Sequence, residues 1–206
     1  NEVDLGKKTV LLLNELGFGV SIPHGVISGR SYLSKGMLIE AKKIAAKNIE
    51  ILSSIINSDH PFIGIEPSAI LTFRDEIPDL VNPELRDLAI QIGKNCLLVD
   101  EFLSQQIKNK KILKSDFTQE GKKIILHGHC HQKSIAGLVS TRHVLSFPEN
   151  QEVELLPTGC CGMAGSFGYE RKHYKISQQI ANLVLFPRVL AAKDTVIIAS
   201  NGTSCR

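Results

Sequence analysis

Apolar and polar positions along the chain switch repeatedly between two periods. Over residues 3–16 the apolar side chains recur at helical spacing, and Gly17 stands where a left-handed residue would close a helix. Residues 18–22 change to a short strand pattern stopped by Pro23, and a glycine-containing loop occupies 23–30. The helical period returns over 34–57, with Met37, Ala41, Ile44, Ala45, Ile49, Leu52 and Ile56 on one side. A strand at 62–65 runs into Glu66, Pro67, Ser68 and Ala69. Asn82 and Pro83 suit the cap and first turn of a helix reaching about Lys94. Residues 96–99 then read as a buried strand or a strand-like turn and 100–108 as a helix.

The remaining sequence repeats this order. A strand at 123–127 opens on Gly128-His129-Cys130-His131-Gln132-Lys133, and a helix follows to about residue 145. A strand at 153–156 ends at Pro157 and enters a loop over 159–168 that holds Gly159-Cys160-Cys161-Gly162. A helix over 170–184 is followed by Pro187, which interrupts it or starts a further turn. The last strand, 195–199, runs into Ser200-Asn201-Gly202-Thr203-Ser204-Cys205. Laid side by side, Ile27-Ser28-Gly29 falls on Cys160-Cys161-Gly162, and Ser68-Ala69 falls on Ser204-Cys205. The alternation predicts an α/β protein of two pseudo-repeated β-α-β, Rossmann-like halves with parallel sheets, 1–113 and 114–206. Parallel crossovers put the loops after each strand on one rim, so Cys130, Cys160, Cys161 and Cys205 are expected to converge.

Composition narrows the classes. The chain has 206 residues, 43% hydrophobic and 22% charged, an ordinary globular balance, with a net charge of +3. Lys and Arg are interspersed with Asp and Glu, which argues against a nucleic-acid-binding stripe. No apolar run approaches the ~18 residues of a membrane span, and the most apolar segment, 183–192, is broken by Pro187 and Arg188. No signal peptide is recognisable. The sequence starts at Asn1 without a Met and stops at Arg206 directly after a cysteine, as a piece of a longer protein would. Its five cysteines are an odd number, too sparse for a secreted disulfide scaffold, and two are adjacent. Thiolate ligands or thiol redox chemistry in a reducing, cytoplasmic compartment is the expectation.

Cys130, Cys160, Cys161 and Cys205 each lie just after an expected strand, among Gly128, Gly159, Gly162, Gly202 and Ser204. Glycines let the backbone wrap closely and turn amide N–H groups toward bound sulfur or anions. Four thiolates suit a [4Fe–4S] cluster or a zinc ion, though adjacent cysteines are unusual for zinc. The plainer alternative is that they are small buried residues, and this is the reading for Cys96. The repeat favours chemistry for the other four, because the first half carries Ile27, Ser28 and Ala69 at the matched places. His129 and His131 flank Cys130 as ligands, as hydrogen-bond donors to sulfur or a substrate carboxylate, or as loop residues satisfied by backbone; His127 is expected to be buried on its strand. Lys133, Glu170 and Arg171 border the site, as charges that tune it or as solvated surface. In the first half His24, Ser28, Arg30, Glu66, Ser68, Arg74, Asp75 and Glu76 occupy the corresponding loops. Arg30 and Arg74 could clamp a carboxylate, or Glu66, Arg74 and Asp75 could form ion pairs that fix the junction of the halves. Gly159 to Gly168 lacks the Gly-x-Gly-x-x-Gly spacing of dinucleotide folds, so FAD is not expected to bind here.

Gly159-Cys160-Cys161-Gly162, with Cys130 upstream and Cys205 downstream, resembles the cysteine-rich "CCG" domain of heterodisulfide reductases and of glycolate-oxidase-type iron–sulfur proteins. The phrases around Cys130 and Cys205 are most similar to the C-terminal part of FAD-linked oxidases of the D-2-hydroxy-acid dehydrogenase group. The resemblance covers nearly the whole chain. It implies an iron–sulfur electron-transfer segment of an FAD-linked oxidoreductase, incomplete as a catalyst by itself. Its cluster, of the [4Fe–4S] type with zinc as the alternative, would be held by Cys130, Cys160, Cys161 and Cys205 in 114–206. The half 1–113 would be a degenerate copy without the ligands. Implied partners are FAD-binding and ferredoxin-like domains of the same or an associated chain, and a quinone or other acceptor, at the inner face of the membrane.

Overall fold

The computed structural model describes residues 2–206; Asn1, where the sequence begins, lies outside the described residues. The chain divides into two compact units, residues 1–102 and 103–206. Both are α/β with parallel strands.

The first unit opens with helix α1 (Val3–Glu15), which buries Leu13. Gly17 closes it with φ +83°: its N–H reaches the Asn14 carbonyl and the Phe18 N–H reaches the Leu13 carbonyl, the paired bonds of a Schellman end. Residues 18–22 form no strand, contrary to their pattern. Val20 and Ile22 are exposed, and the segment is held by Phe18 packing edge-on against Phe102 at 5.1 Å. The expected long helix at 34–57 is two helices, α2 (Arg30–Ser34) and α3 (Leu38–Ser53), separated at Gly36, whose φ is +72°. Helix α3 turns Ala41, Ala45, Asn48, Ile49 and Leu52 into the core. Strand β1 (Phe62–Gly64) leads to α4 (Pro67–Leu71), α5 (Ile77–Leu80) and α6 (Pro83–Lys94), and then to β2 (Cys96–Leu98). The two strands pair parallel, with Phe62 opposite Cys96. Helix α7 (Val99–Lys108) carries the chain onward.

The second unit is built on three parallel strands in the order β4–β3–β5: β3 (Lys123–His127), β4 (Glu152–Leu155) and β5 (Val196–Ser200). Helices α8 (Cys130–Ile135) and α9 (Val139–Ser146) link β3 to β4. They form two pieces because Gly137 turns the chain at φ +71°. Helices α10 (Tyr174–Leu183) and α11 (Leu185–Leu190) link β4 to β5, with Pro187 inside the first turn of α11, where its missing N–H is tolerated. The central strand β3 buries Ile124, Ile125, Leu126 and His127, as a strand covered on both faces must. Leu126 stands opposite Leu155 and Ala199, and His127 opposite Ser200, so the three strands finish level. Their following loops therefore leave from one edge. Among the described residues no helix is long and apolar enough to cross a membrane.

Candidate metal centre

That edge collects the chemistry. Strand β3 ends at His127, and Cys130 begins α8 three residues later. The loop after β4 brings Cys160 and Cys161, and the turn after β5 brings Cys205. Cys161 belongs to the apolar core with Ile125, Leu156 and Leu185, and Cys160 and Cys205 pack against that core. A ring nitrogen of His127 and the sulfurs of Cys161 and Cys205 all lie within 4.8 Å of one another. His127 is 1% exposed; its Nδ1 meets the Thr158 hydroxyl at 2.6 Å, and its Nε2 is buried and closes no hydrogen bond among the described residues.

The thiols act on one another. Cys161 is drawn below the ordinary thiol range, first by the hydrogen bond from Cys205, with His127 adding to the effect against the cost of burial. The same bond raises Cys205, and burial raises it further. Cys130 is raised by burial, then by the charge of Cys160, with Cys161 adding, while Lys133 opposes. The Gly162 N–H points at the Cys160 sulfur, 3.3 Å away. Soft sulfur donors, an amide directed at one of them and an unpaired buried imidazole nitrogen form a donor set that fits a metal ion or cluster.

The backbone here has little room. Gly162 has φ +92°, and a Cβ on it would lie 2.3 Å from the Ser177 carbonyl oxygen. A Cβ on Gly202 would meet the His129 ring at 2.1 Å. Lys133 Nζ donates to the Thr158 and Gly159 carbonyls at 2.5 and 2.7 Å, fastening α8 to the loop that carries Cys160 and Cys161. The buried Gln132 amide donates to Thr141 at 2.9 Å, and Asn201 reaches the same hydroxyl at 3.4 Å. Arg206 donates to the Ser200 and Asn201 carbonyls, fixing the turn that bears Cys205.

Other sequence-selected residues lie elsewhere or serve differently. Cys96 is completely buried on β2, and burial pushes its thiol up to about 12, with Arg74 opposing. His129 is buried, and His131 is half-buried within α8. Glu170 forms an ion pair with Lys172 at 3.3 Å. In the first unit His24 is exposed and Arg30 pairs with Glu76. Glu66 caps α4, accepting from the Ser68 amide and, at 2.6 Å, the Ser68 hydroxyl. Arg74 bonds Glu101 at 2.6 Å, and the same carboxylate oxygen accepts the Leu98 amide at 3.0 Å. The guanidinium groups of Arg30 and Arg74 are thus each engaged by a carboxylate of the chain itself. Sequence reasoning missed His127 as a member of the site. Its signal was its place at the end of the central strand, three residues before Cys130.

Fold and rim together define a parallel α/β unit that presents a thiol-rich, metal-competent edge. Among known proteins, the chain is 28% identical over 205 residues to D-2-hydroxyglutarate dehydrogenase of Haemophilus influenzae, covering 96% of this chain and 19% of that protein. It is 26% identical over 182 residues to a component of the anaerobic glycerol-3-phosphate dehydrogenase of Escherichia coli K12, covering 87% of this chain and 44% of that component. Lactate utilization protein A of Bacillus subtilis is 26% identical over 187 residues, covering 88% of this chain and 74% of that protein. The chain is thus related to parts of oxidoreductases, and it spans about a fifth of the length of the D-2-hydroxyglutarate dehydrogenases, 19% in two of them. No protein-family model matches it. No solved structure matches it.

Proposed function

We propose that this chain is the electron-transfer segment of a larger FAD-linked oxidoreductase acting on a D-2-hydroxy acid of the lactate, glycolate or 2-hydroxyglutarate type, with an iron–sulfur cluster held by Cys130, Cys160, Cys161 and Cys205. The observation that carries this reading is the arrangement of these four thiols. They come from three loops leaving one edge of one parallel sheet, and the ionisation of Cys130, Cys161 and Cys205 is shifted by neighbouring thiols. Relatives that include D-2-hydroxyglutarate dehydrogenase support the substrate class. When bound, a cluster of the [4Fe–4S] type would accept and release single electrons between a flavin elsewhere in the parent protein and a quinone or other acceptor. The residues of this chain do the rest. Cys161 is readied as a thiolate, the Gly162 amide is directed at the Cys160 sulfur, and Lys133 fastens the loop. Ile125, Leu156 and Leu185 keep water from one side. In this reading the parent protein is cytoplasmic, carries FAD-binding and ferredoxin-like domains, and meets its acceptor at the inner face of the membrane.

The same reading makes residues 1–113 a diverged, ligand-free copy of residues 114–206, both Rossmann-like CCG halves. In its support, Gly29 and Gly162 fall at matched places and both hold positive φ, +71° and +92°. Ile27, Ser28 and Ala69 stand where the second half has cysteines.

Anaerobic reconstitution followed by iron and sulfide analysis tests the proposal. Replacing any of the four cysteines by Ser should lower cluster content, and Cys96→Ala should not. A Cys160→Ser chain with unchanged iron, sulfide and electron transfer overturns it. A second reading, a structural zinc module that docks partner domains, draws on the mixed nitrogen and sulfur set of His127, Cys161 and Cys205. About one zinc per chain in anaerobically purified protein, without charge-transfer absorbance, would favour it.

A further inference from the structure

His127 belongs to no cysteine motif, yet its ring sits against the Cys161 and Cys205 sulfurs. Which ring nitrogen carries the proton decides what it can do there, because a protonated nitrogen donates to sulfur and an unprotonated one ligates metal. Its neighbour settles the tautomer. The Thr158 hydroxyl is buried, and its one hydrogen-bond partner among the described residues is His127 Nδ1, at 2.6 Å. A hydroxyl has a single proton to give, and buried polar hydrogens are almost always given to an acceptor. If Nδ1 carried the proton, that hydroxyl hydrogen would be buried without an acceptor. With the hydroxyl donating to Nδ1, the ring proton resides on Nε2. With Nδ1 taken by Thr158, Nε2 is the ring nitrogen left for the Cys161 and Cys205 sulfurs, which lie within 4.8 Å of a nitrogen of this ring, and it closes no hydrogen bond among the described residues.

We infer that His127 is a positioning residue whose Nε2–H, held in that tautomer by the Thr158 hydroxyl, donates a hydrogen bond to metal-bound sulfur of the Cys161–Cys205 pair. The inference rests on the proposed cluster. Hydrogen bonds to cluster sulfurs stabilise the reduced, more negative state and so raise the reduction potential. His127 therefore sets the potential of the site without contributing a ligand, in a pocket too enclosed for bulk water to substitute.

Two measurements on the full chain test it. In the reduced, metal-free protein, ¹⁵N NMR of the His127 ring should show Nε2 protonated and Nδ1 unprotonated; the reverse assignment overturns the inference. In the reconstituted protein, His127→Phe and Thr158→Val should keep their iron and sulfide, and their midpoint potentials should move negative, Thr158→Val by the smaller step. His127→Gln, which retains an N–H donor, should restore part of the difference. Loss of iron from His127→Phe with an unchanged circular dichroism spectrum would make His127 a ligand and overturn the inference, as would an unchanged potential. A parent chain that takes up no cluster at all refutes the proposed function, while the ¹⁵N measurement still decides the tautomer.

Discussion

Cys96 and Cys161 are both buried thiols, and their surroundings drive them in opposite directions. Cys96 is enclosed on β2, and loss of hydration holds its proton. Cys161 has a thiol donor in Cys205 and an imidazole beside it, and these outweigh its burial. Thiolate character and access together govern reactivity toward electrophiles. In metal-free protein at neutral pH, N-ethylmaleimide should therefore leave Cys96 unmodified until the chain is unfolded, while the exposed Cys130 is labelled first, a contrast that peptide mass spectrometry reads directly. The closeness of the Cys161 and Cys205 sulfurs carries a second expectation. Treated with diamide, which takes two electrons from a pair of thiols, the metal-free chain should form a Cys161–Cys205 disulfide in preference to the strained vicinal Cys160–Cys161 ring. Mapping of the cross-linked peptides checks this, and prior metal loading should suppress it.

At the scale of elements, the rim depends on loops packed too closely for ordinary side chains. Gly162→Ala would place a non-glycine residue at φ +92° and press its Cβ against the Ser177 backbone in α10, where no rotamer change gives relief. A strained backbone position of this kind costs of order 1–3 kcal/mol, so this variant should show a lower Tm together with lower metal content. Lys133→Met should be gentler on folding. It removes two charge-assisted bonds that fasten the Thr158 and Gly159 carbonyls, each worth about 1.5–3 kcal/mol at most. It should loosen the cysteine loop and weaken metal retention, measured by chelator challenge, with helix content preserved. The strands of the second unit were readable because their short runs stop at Gly128, Pro157 and the turn before Gly202, although only β3 is buried along most of its length and Ile197 and Ile198 of β5 are exposed. Residues 18–22 misled because Val20 and Ile22 look like strand positions but have no partner strand to cover them, and both stay exposed. The breaks at Gly36 and Gly137 were hidden inside continuous helical periodicity, which does not report a single residue at positive φ. The cysteine loops stood out by residue type alone. His127 did not, since a histidine at the end of a buried strand looks the same in sequence whether its ring meets backbone or sulfur.

At the scale of the whole molecule, the raised thiol of Cys96 lies in the first unit, apart from the mutually coupled thiols of the second, where Cys161 is lowered and Cys130 and Cys205 are raised, so alkali acts on the two units through different groups. In the first unit the folded state holds the Cys96 proton up to about 12, whereas an ordinary thiol releases it near 9.0. Below pH 9.0 the thiol is protonated in both the folded and the unfolded chain and exerts no pH-dependent pull. As pH rises above 9.0 the unfolded chain gains by ionising a solvated thiolate that the folded chain cannot accommodate, so stability falls progressively until the folded thiol also ionises near 12. Tyr and Lys groups titrate over part of the same range, so the Cys96 contribution has to be isolated by difference. Cys96→Val keeps an apolar side chain of similar size on β2 and has no proton to lose. Guanidinium unfolding of both proteins at pH 7 and at pH 10.5, reduced and metal-free, should show the parent losing more stability between the two conditions than the variant. An equal loss in both would mean that Cys96 ionises as readily in the folded chain as in the unfolded one, which its complete enclosure on β2 argues against.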